Sequence, residues 1–327
     1  MKRISLIVTT ILMIASLRHE SARAQAQPPV TAPGIPVQGG APVATFRSAV
    51  DLVRVSAIVR DRKGRFVRDL TAGDFHVLDD GRSRPIADFR HDVAGVSVAL
   101  LFDVSGSMES RLRVAREAAS HLLSWLDPVR DEAAVFAFDT RLTQLTPFTV
   151  GLRSLPQELE LLTPFGATGI HDAIAQTARR LDGREGRRRA VVVLTDGVDN
   201  ASRLSAGEVS GIASAIDVPV YVMGLVPSID NPATEVAVPS AGRSALIGAL
   251  ADLSHWTGGH SFVVSTPGER SAVSRQIVDE LRHQYLIAFE SSGKPGWHPL
   301  VVRARDKDLT VRARSGYFAG QSRPNSH

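Results

Sequence analysis

Two stretches, Val96 to Phe102 and Ala190 to Leu194, are apolar runs, and each leads on towards a segment with helical spacing of its apolar residues. A strand that is apolar on both faces has to be covered on both faces. That happens when crossover helices pack on either side of a parallel sheet. The same alternation continues across residues 94–266. Leu112 to Leu126 is helical in spacing and ends near Pro128, and Ala133 to Phe138 is a strand. Ile170 to Leu181 and Ser205 to Ile216 read as helices, Val218 to Leu225 as a strand, Leu246 to Thr257 as a helix and Ser261 to Val264 as a strand. Repeated strand–helix units predict an α/β fold with a doubly wound, mostly parallel, Rossmann-like sheet.

The flanks differ in character. Val50 to Val59 alternates like a strand, Asp61 to Arg65 is a turn signal, and Phe66-Val67 reads as the start of a second short strand. Phe75 to Leu78 precedes the hairpin signal Asp79-Asp80-Gly81, and Ile86 to Arg90 follows. Residues 46–93 are thus a small antiparallel β region, thin for a core of its own. Beyond the α/β segment, residues 267–285 read as a helix. Tyr285 to Glu290, His298 to Arg305 and Leu309 to Arg314 read as strands within a closing segment, 267–320. These strands are expected to complete the N-terminal β region into one sandwich, with residues 94–266 inserted between its halves.

The N-terminus reads as an export signal. Met1-Lys2-Arg3 is basic, Ile4 to Leu17 is apolar, and Ser21-Ala22-Arg23-Ala24-Gln25-Ala26 offers small-x-small cleavage sites. Residues 1–24 are the expected signal peptide and the Pro-, Gly- and Ala-rich residues 25–45 a linker. The signal holds four basic residues and one acidic, so the net charge of +4 falls to +1 without it. No basic excess remains to imply nucleic acid, and no apolar run in the body reaches the ~18 residues of a membrane span. The expected location is the periplasm or the exterior. The chain has no cysteine, which excludes thiol catalysis, cysteine zinc sites and a cysteine-linked lipid anchor.

Chemistry concentrates at Asp103-Val104-Ser105-Gly106-Ser107, which follows the first buried strand and opens the first helix. Ligand sites in doubly wound sheets lie at the carboxyl ends of the strands. Three oxygen side chains at alternate positions suit a hard divalent cation. Gly166-Ala167-Thr168-Gly169 offers a hydroxyl ahead of the next helix, and Thr195-Asp196-Gly197 offers a carboxylate after the Ala190–Leu194 strand. Read without a cation, the same residues cap helices and satisfy loop amides.

These three segments resemble the loops of the metal-ion-dependent adhesion site of von Willebrand factor A domains. All five family positions are filled, by Asp103, Ser105, Ser107, Thr168 and Asp196. Over its whole length the chain is also similar to exported bacterial von Willebrand factor A-related proteins, through Asp69 to Phe75, Asp80-Gly81 and the closing Arg314-Ser315-Gly316-Tyr317. The resemblance implies that Ser105, Ser107 and Thr168 touch a divalent cation, Mg²⁺ foremost with Mn²⁺ or Ca²⁺ as alternatives. Asp103 and Asp196 would act mostly through water. Such a cation stays electrophilic and seeks an Asp or Glu carboxylate from a partner protein.

Other polar residues have plainer readings. Asp199-Asn200, His171 and Asp172 lie near the loops but suit turns and a helix start. His255 and His260 are a weak zinc pair, Arg187 to Arg189 a solvated run, and Trp125, Trp256 and Trp297 are scattered. No phosphate-binding loop, Gly-x-Ser-x-Gly elbow or His-Glu-x-x-His occurs. The expectation is a metal-dependent protein-binding module and not an enzyme. The alternatives are an envelope assembly factor with an auxiliary metal site, or a metal-assisted hydrolase.

Overall fold

The computed structural model describes residues 52–91, 95–184, 186–215, 217–227 and 248–319. The expected signal peptide and linker lie outside the described residues. The central sheet has six strands in the order β10-β9-β8-β5-β6-β7, where β5 is Val96–Asp103, β6 Glu132–Phe138, β7 Leu142–Val150, β8 Arg188–Thr195, β9 Val220–Leu225 and β10 Ser261–Val264. All neighbours run parallel except β7, which lies antiparallel on the edge beside β6.

The double burial of β5 is visible residue by residue. Val98, Leu100 and Phe102 face one core with Ala115, Ala119 and Leu122 of α1 (Leu112–Trp125) and Ile277 and Leu281 of the last helix. Ala99 and Leu101 face the other core. There they meet Ile174 and Ala178 of α3 (Ile170–Leu181), Val209 and Ala213 of α4 (Ala206–Ala215), and Leu250 and Leu253 of α5 (Ala249–Trp256). Successive side chains alternate between faces, so an apolar strand demands helices on both sides. The last helix, α6 (Pro267–Arg282), opens with a capping box between Thr266 and Glu269 and Pro267 in its first turn. It packs in the same core as α1.

The N- and C-terminal segments interleave. β1 (Leu52–Arg60) pairs antiparallel with β11 (Gln284–Glu290) on one side and with β13 (Thr310–Ala313) on the other. Adding β4 (Ile86–Arg90) gives the order β13-β1-β11-β4. The facing sheet runs β14-β12-β2-β3, from Gly316–Ala319, Gly296–Ala304, Phe75–Asp79 and Arg82–Arg84. Val53, Val55, Phe75, Val77, Tyr285, Ile287, Phe289, Leu300 and Tyr317 fill the space between them as one core. The antiparallel β domain is therefore built from both ends of the described chain. Its β2–β3 hairpin turns at Asp80 and Gly81, both at positive φ, as a two-residue turn of that twist requires.

One reading is corrected and three elements are added. Phe66-Val67 is no strand: it makes a single bridge to Arg60, and the carbonyl of Val67 accepts from the Tyr285 hydroxyl at 2.9 Å. Between β6 and α3 lie β7 and the short helix α2 (Glu158–Leu161), which the sequence pattern did not announce. The closing Gly316-Tyr317 segment is itself a strand, β14.

Candidate metal centre

Chain order reverses about β5, which has β8 on one side and β6 on the other. A crevice at the carboxyl ends of strands follows from that reversal. Asp103 is the last residue of β5 and is fully buried. Its Oδ1 accepts from the Ser105 N–H at 2.9 Å and its Oδ2 from the Thr195 hydroxyl at 2.6 Å. Thr195 ends β8, one residue beyond Leu194, which pairs with Phe102. The carboxylate is thus held by the strand it ends and by the neighbouring strand. Burial pushes its pKa up to about 6; the hydrogen bonds from Ser105 and Thr195 pull the other way, and the nearby Asp196 charge adds to the rise. A carboxylate in that position gains from a cation brought close to it.

Ser105 caps a single 3₁₀ turn, Gly106–Met108, whose Met108 is buried in the core and anchors the loop. The Ser105 and Ser107 hydroxyl oxygens lie 3.2 Å apart, and Ser107 Oγ donates to Asp196 Oδ1 at 3.1 Å. Asp196 Oδ2 accepts from Arg111 Nη1 at 2.9 Å, and the same guanidinium nitrogen reaches the Ser107 carbonyl at 3.0 Å.

The Thr168 loop is stitched to both others through backbone. Gly106 N–H donates to the Gly166 carbonyl at 3.1 Å, and Phe165 N–H to the Val104 carbonyl at 3.0 Å. Gly166 sits at φ +84°, a conformation that glycine tolerates without penalty. Thr168 N–H donates to Asn200 Oδ1 at 2.8 Å, while its carbonyl accepts from the N–H groups of Asn200 and Ala201. Hydrogen bonds join Asp103, Ser105, Ser107 and Asp196 into one cup, and buried Thr168 is fixed beside it by backbone. Unlike the other two loops, the Thr168 loop does not follow a strand directly: it follows α2, yet its backbone bonds tie it to the same rim.

The donor set fits a hard cation. An octahedral ion with oxygens at about 2.1 Å sets neighbouring ligands about 3 Å apart. The Ser105–Ser107 separation of 3.2 Å is close to that edge, and Asp196 accepts from Ser107 at 3.1 Å, placed to orient it. The two serine hydroxyls would therefore have to move little to share an ion.

Neighbouring polar residues take the plainer reading. Asp199 accepts from His171 N–H, Ser202 N–H and Ser202 Oγ, and Asp172 accepts from the N–H groups of Arg203 and Leu204. They brace the loop after β8. Asn200, weighed in the sequence only as part of a turn, proves to be the clamp between the second and third loops.

Sequence reasoning did not single out a second cluster, Asp79, Asp80 and His298, whose ligand-type atoms lie within 4.8 Å of one another. Its groups already have protein partners. His298 Nδ1 lies 3.1 Å from Asp79 Oδ1, its Nε2 2.8 Å from the Lys294 carbonyl, and Asp79 Oδ2 accepts from Arg84 Nε at 3.0 Å. It ties β12 to the β2–β3 hairpin. His255 and His260 belong to no group of three such ligands among the described residues.

No curated protein matches the chain. Among solved structures, it is similar to an aerotolerance-related membrane protein from Bacteroides fragilis, at 22% identity and TM-score 0.47, over 57% of this chain and 98% of that one. BatB from Bacteroides thetaiotaomicron is similar over the same shares at 24% identity and TM-score 0.45. A von Willebrand factor type A protein from Catenulispora acidiphila covers 85% of this chain, and is itself covered over 76%, at 14% identity and TM-score 0.46. The von Willebrand factor type A domain family matches residues 98–198, a span that runs from β5 through β8 and takes in all three loops of the cup. Residues 98–198 thus match the von Willebrand factor type A domain family, in a chain whose flanking strands close a separate antiparallel β domain.

Proposed function

We propose that the protein is an exported, divalent-metal-dependent binding module that grips a carboxylate of a partner protein and catalyses no reaction. The supporting observation is the cup itself. Ser105 and Ser107 present hydroxyl oxygens spaced near an octahedral edge, hydrogen-bonded to Asp196 and beside buried Asp103, at the reversal point of a doubly wound sheet. Ser105, Ser107 and Thr168 would hold the ion through hydroxyls, with Asp103 and Asp196 orienting them. A divalent cation, Mg²⁺ foremost, would supply an electrophilic pole for an outside Asp or Glu.

The chain's own residues do the positioning. Asp103 fixes the Ser105 backbone, Thr195 fixes Asp103, and Asn200 fixes Thr168. Among the described residues, His171 Nδ1 lies 3.1 Å from the Leu204 carbonyl and Asp199 accepts from the His171 N–H and the Ser202 hydroxyl, which speaks against these two groups as general bases. A general base has to reach the proton that it removes. Among the described residues no helix is long and apolar enough to cross a membrane. Export rests on the basic, apolar and small-residue order of residues 1–26.

Pull-down from the native cell envelope, with and without chelator, tests the proposal. A partner retained in Mg²⁺ and released by chelator is the expected result. A partner that stays bound in excess chelator overturns it.

A further inference from the structure

Phe165 stands on the loop that leads to Thr168, and its side chain is 80% exposed, the highest value among the large apolar side chains of the described residues. Leu161, at the end of α2, is 76% exposed. Val129 is comparable at 78%, but it precedes β6 and so lies at the other end of the sheet from the cup. Single exposed apolar residues are ordinary. Phe165 differs in what holds it. Its N–H is bonded to the carbonyl of Val104, the residue between Asp103 and Ser105. The carbonyl of the next residue, Gly166, accepts from Gly106. The ring is therefore carried on backbone held in register with the cup, at a rim where Gly106 and Ser107 are also exposed.

Folding gains nothing from an aromatic ring left in water. The same ring on a fixed backbone makes an effective interface anchor, because it offers a large contact area and has little freedom to lose. Beside it the chain sets an acid-seeking pole, the oxygen cup for a cation, with Arg111 at its edge. An occupant complementary to both has a negative group and an apolar group side by side.

We infer that the partner presents an Asp or Glu directly next to a large apolar side chain, the carboxylate going to the cup and the apolar group onto Phe165, with Leu161 extending that surface. This rests on the metal-binding reading above and specifies the partner that it takes.

A display library of random peptides, panned on the full chain in Mg²⁺ and eluted with chelator, tests it. Wild type should enrich peptides in which an acidic residue adjoins Leu, Ile, Phe or Met. Changing that apolar residue to Ser in an enriched peptide should weaken binding about tenfold. Phe165→Ser should bind the original peptide about tenfold more weakly, still in a Mg²⁺-dependent way, and should no longer distinguish it from the Ser-substituted one. Val129→Ser, equally exposed but remote, should behave as wild type. Enrichment of acidic peptides without an apolar neighbour, or an apolar preference that survives in Phe165→Ser, overturns the inference and leaves the metal reading standing. Chelator elution that enriches no acidic peptide overturns both.

Discussion

Arg111 holds Asp196 through a 2.9 Å ion pair while also bonding the Ser107 carbonyl, so a fixed positive charge sits at the edge of the proposed cation site. Like charges within a few ångströms oppose each other, more so away from bulk water. Arg111→Ala should therefore let Mg²⁺ bind roughly three- to tenfold more tightly, as read by titration calorimetry; unchanged or weaker binding would show that the guanidinium does not compete. Asp103→Ala should abolish the Mg²⁺ response. Loops that meet only in the folded state give stabilisation by mass action, about 2.7 kcal/mol at a hundred times Kd. The quantity to compare is the rise in melting temperature on adding Mg²⁺, because the substitution also strips Thr195 and Ser105 of a buried acceptor and lowers the baseline. A variant that keeps the full rise would place the ion elsewhere. The sequence offered five oxygen positions as candidates, and the structure joins four of them, Asp103, Ser105, Ser107 and Asp196, by hydrogen bonds. Arg111, Thr195 and Asn200 were not legible in it, because their roles come from side-chain directions that no spacing encodes.

Elements buried on both faces announced themselves, as did strands that alternate buried and exposed residues, whereas an edge strand without that alternation did not. β5, β8 and α3 fall where apolar runs and helical spacing placed them, since burial leaves little latitude in composition. β7 was missed because it is an edge strand with mostly exposed side chains, rich in Thr and carrying Pro147, which edges tolerate and interiors do not. Packing fixes Gly259: a Cβ there would lie 2.0 Å from the Val220 carbonyl oxygen, where the connection from α5 to β10 crosses the start of β9. The nearest atoms are all backbone of Val220, which leaves nothing flexible to yield. Gly259→Ala should cost about 3 kcal/mol in denaturant unfolding, at the upper end for overpacking. A loss below about 1 kcal/mol would mean that the crossing has room to open.

At the scale of the whole molecule, the strands before the parallel sheet pair with those after it, so the chain leaves the antiparallel domain, builds the α/β domain and returns. The amphipathic strands made this order readable, but the joint between the layers rests on charges whose partners lie far apart in sequence. Glu280, on the buried side of α6, receives Arg60 of β1 at 3.0 Å, Gln276 at 3.1 Å and Arg312 of β13. Burial works to raise its carboxyl pKa, but Arg312, Gln276 and Arg60 outweigh burial and hold it below the ordinary glutamate range. A carboxylate depressed in this way stabilises the fold above its unfolded pKa and loses that contribution as pH falls through the folded one. Glu280→Gln keeps the shape and removes the charge, and should cost about 2 kcal/mol at neutral pH, less than a fully buried pair because both arginines reach water. The difference in melting temperature between variant and wild type should shrink as pH falls below the ordinary glutamate value and vanish below the depressed folded value, where wild type is itself neutral at this position. The Mg²⁺-induced rise should be the same in both, because α6 meets the sheet through apolar packing and none of its residues bonds to the cup. A pH-independent gap would assign the loss to packing, and a diminished Mg²⁺ response would reveal that the joint and the metal loops move together.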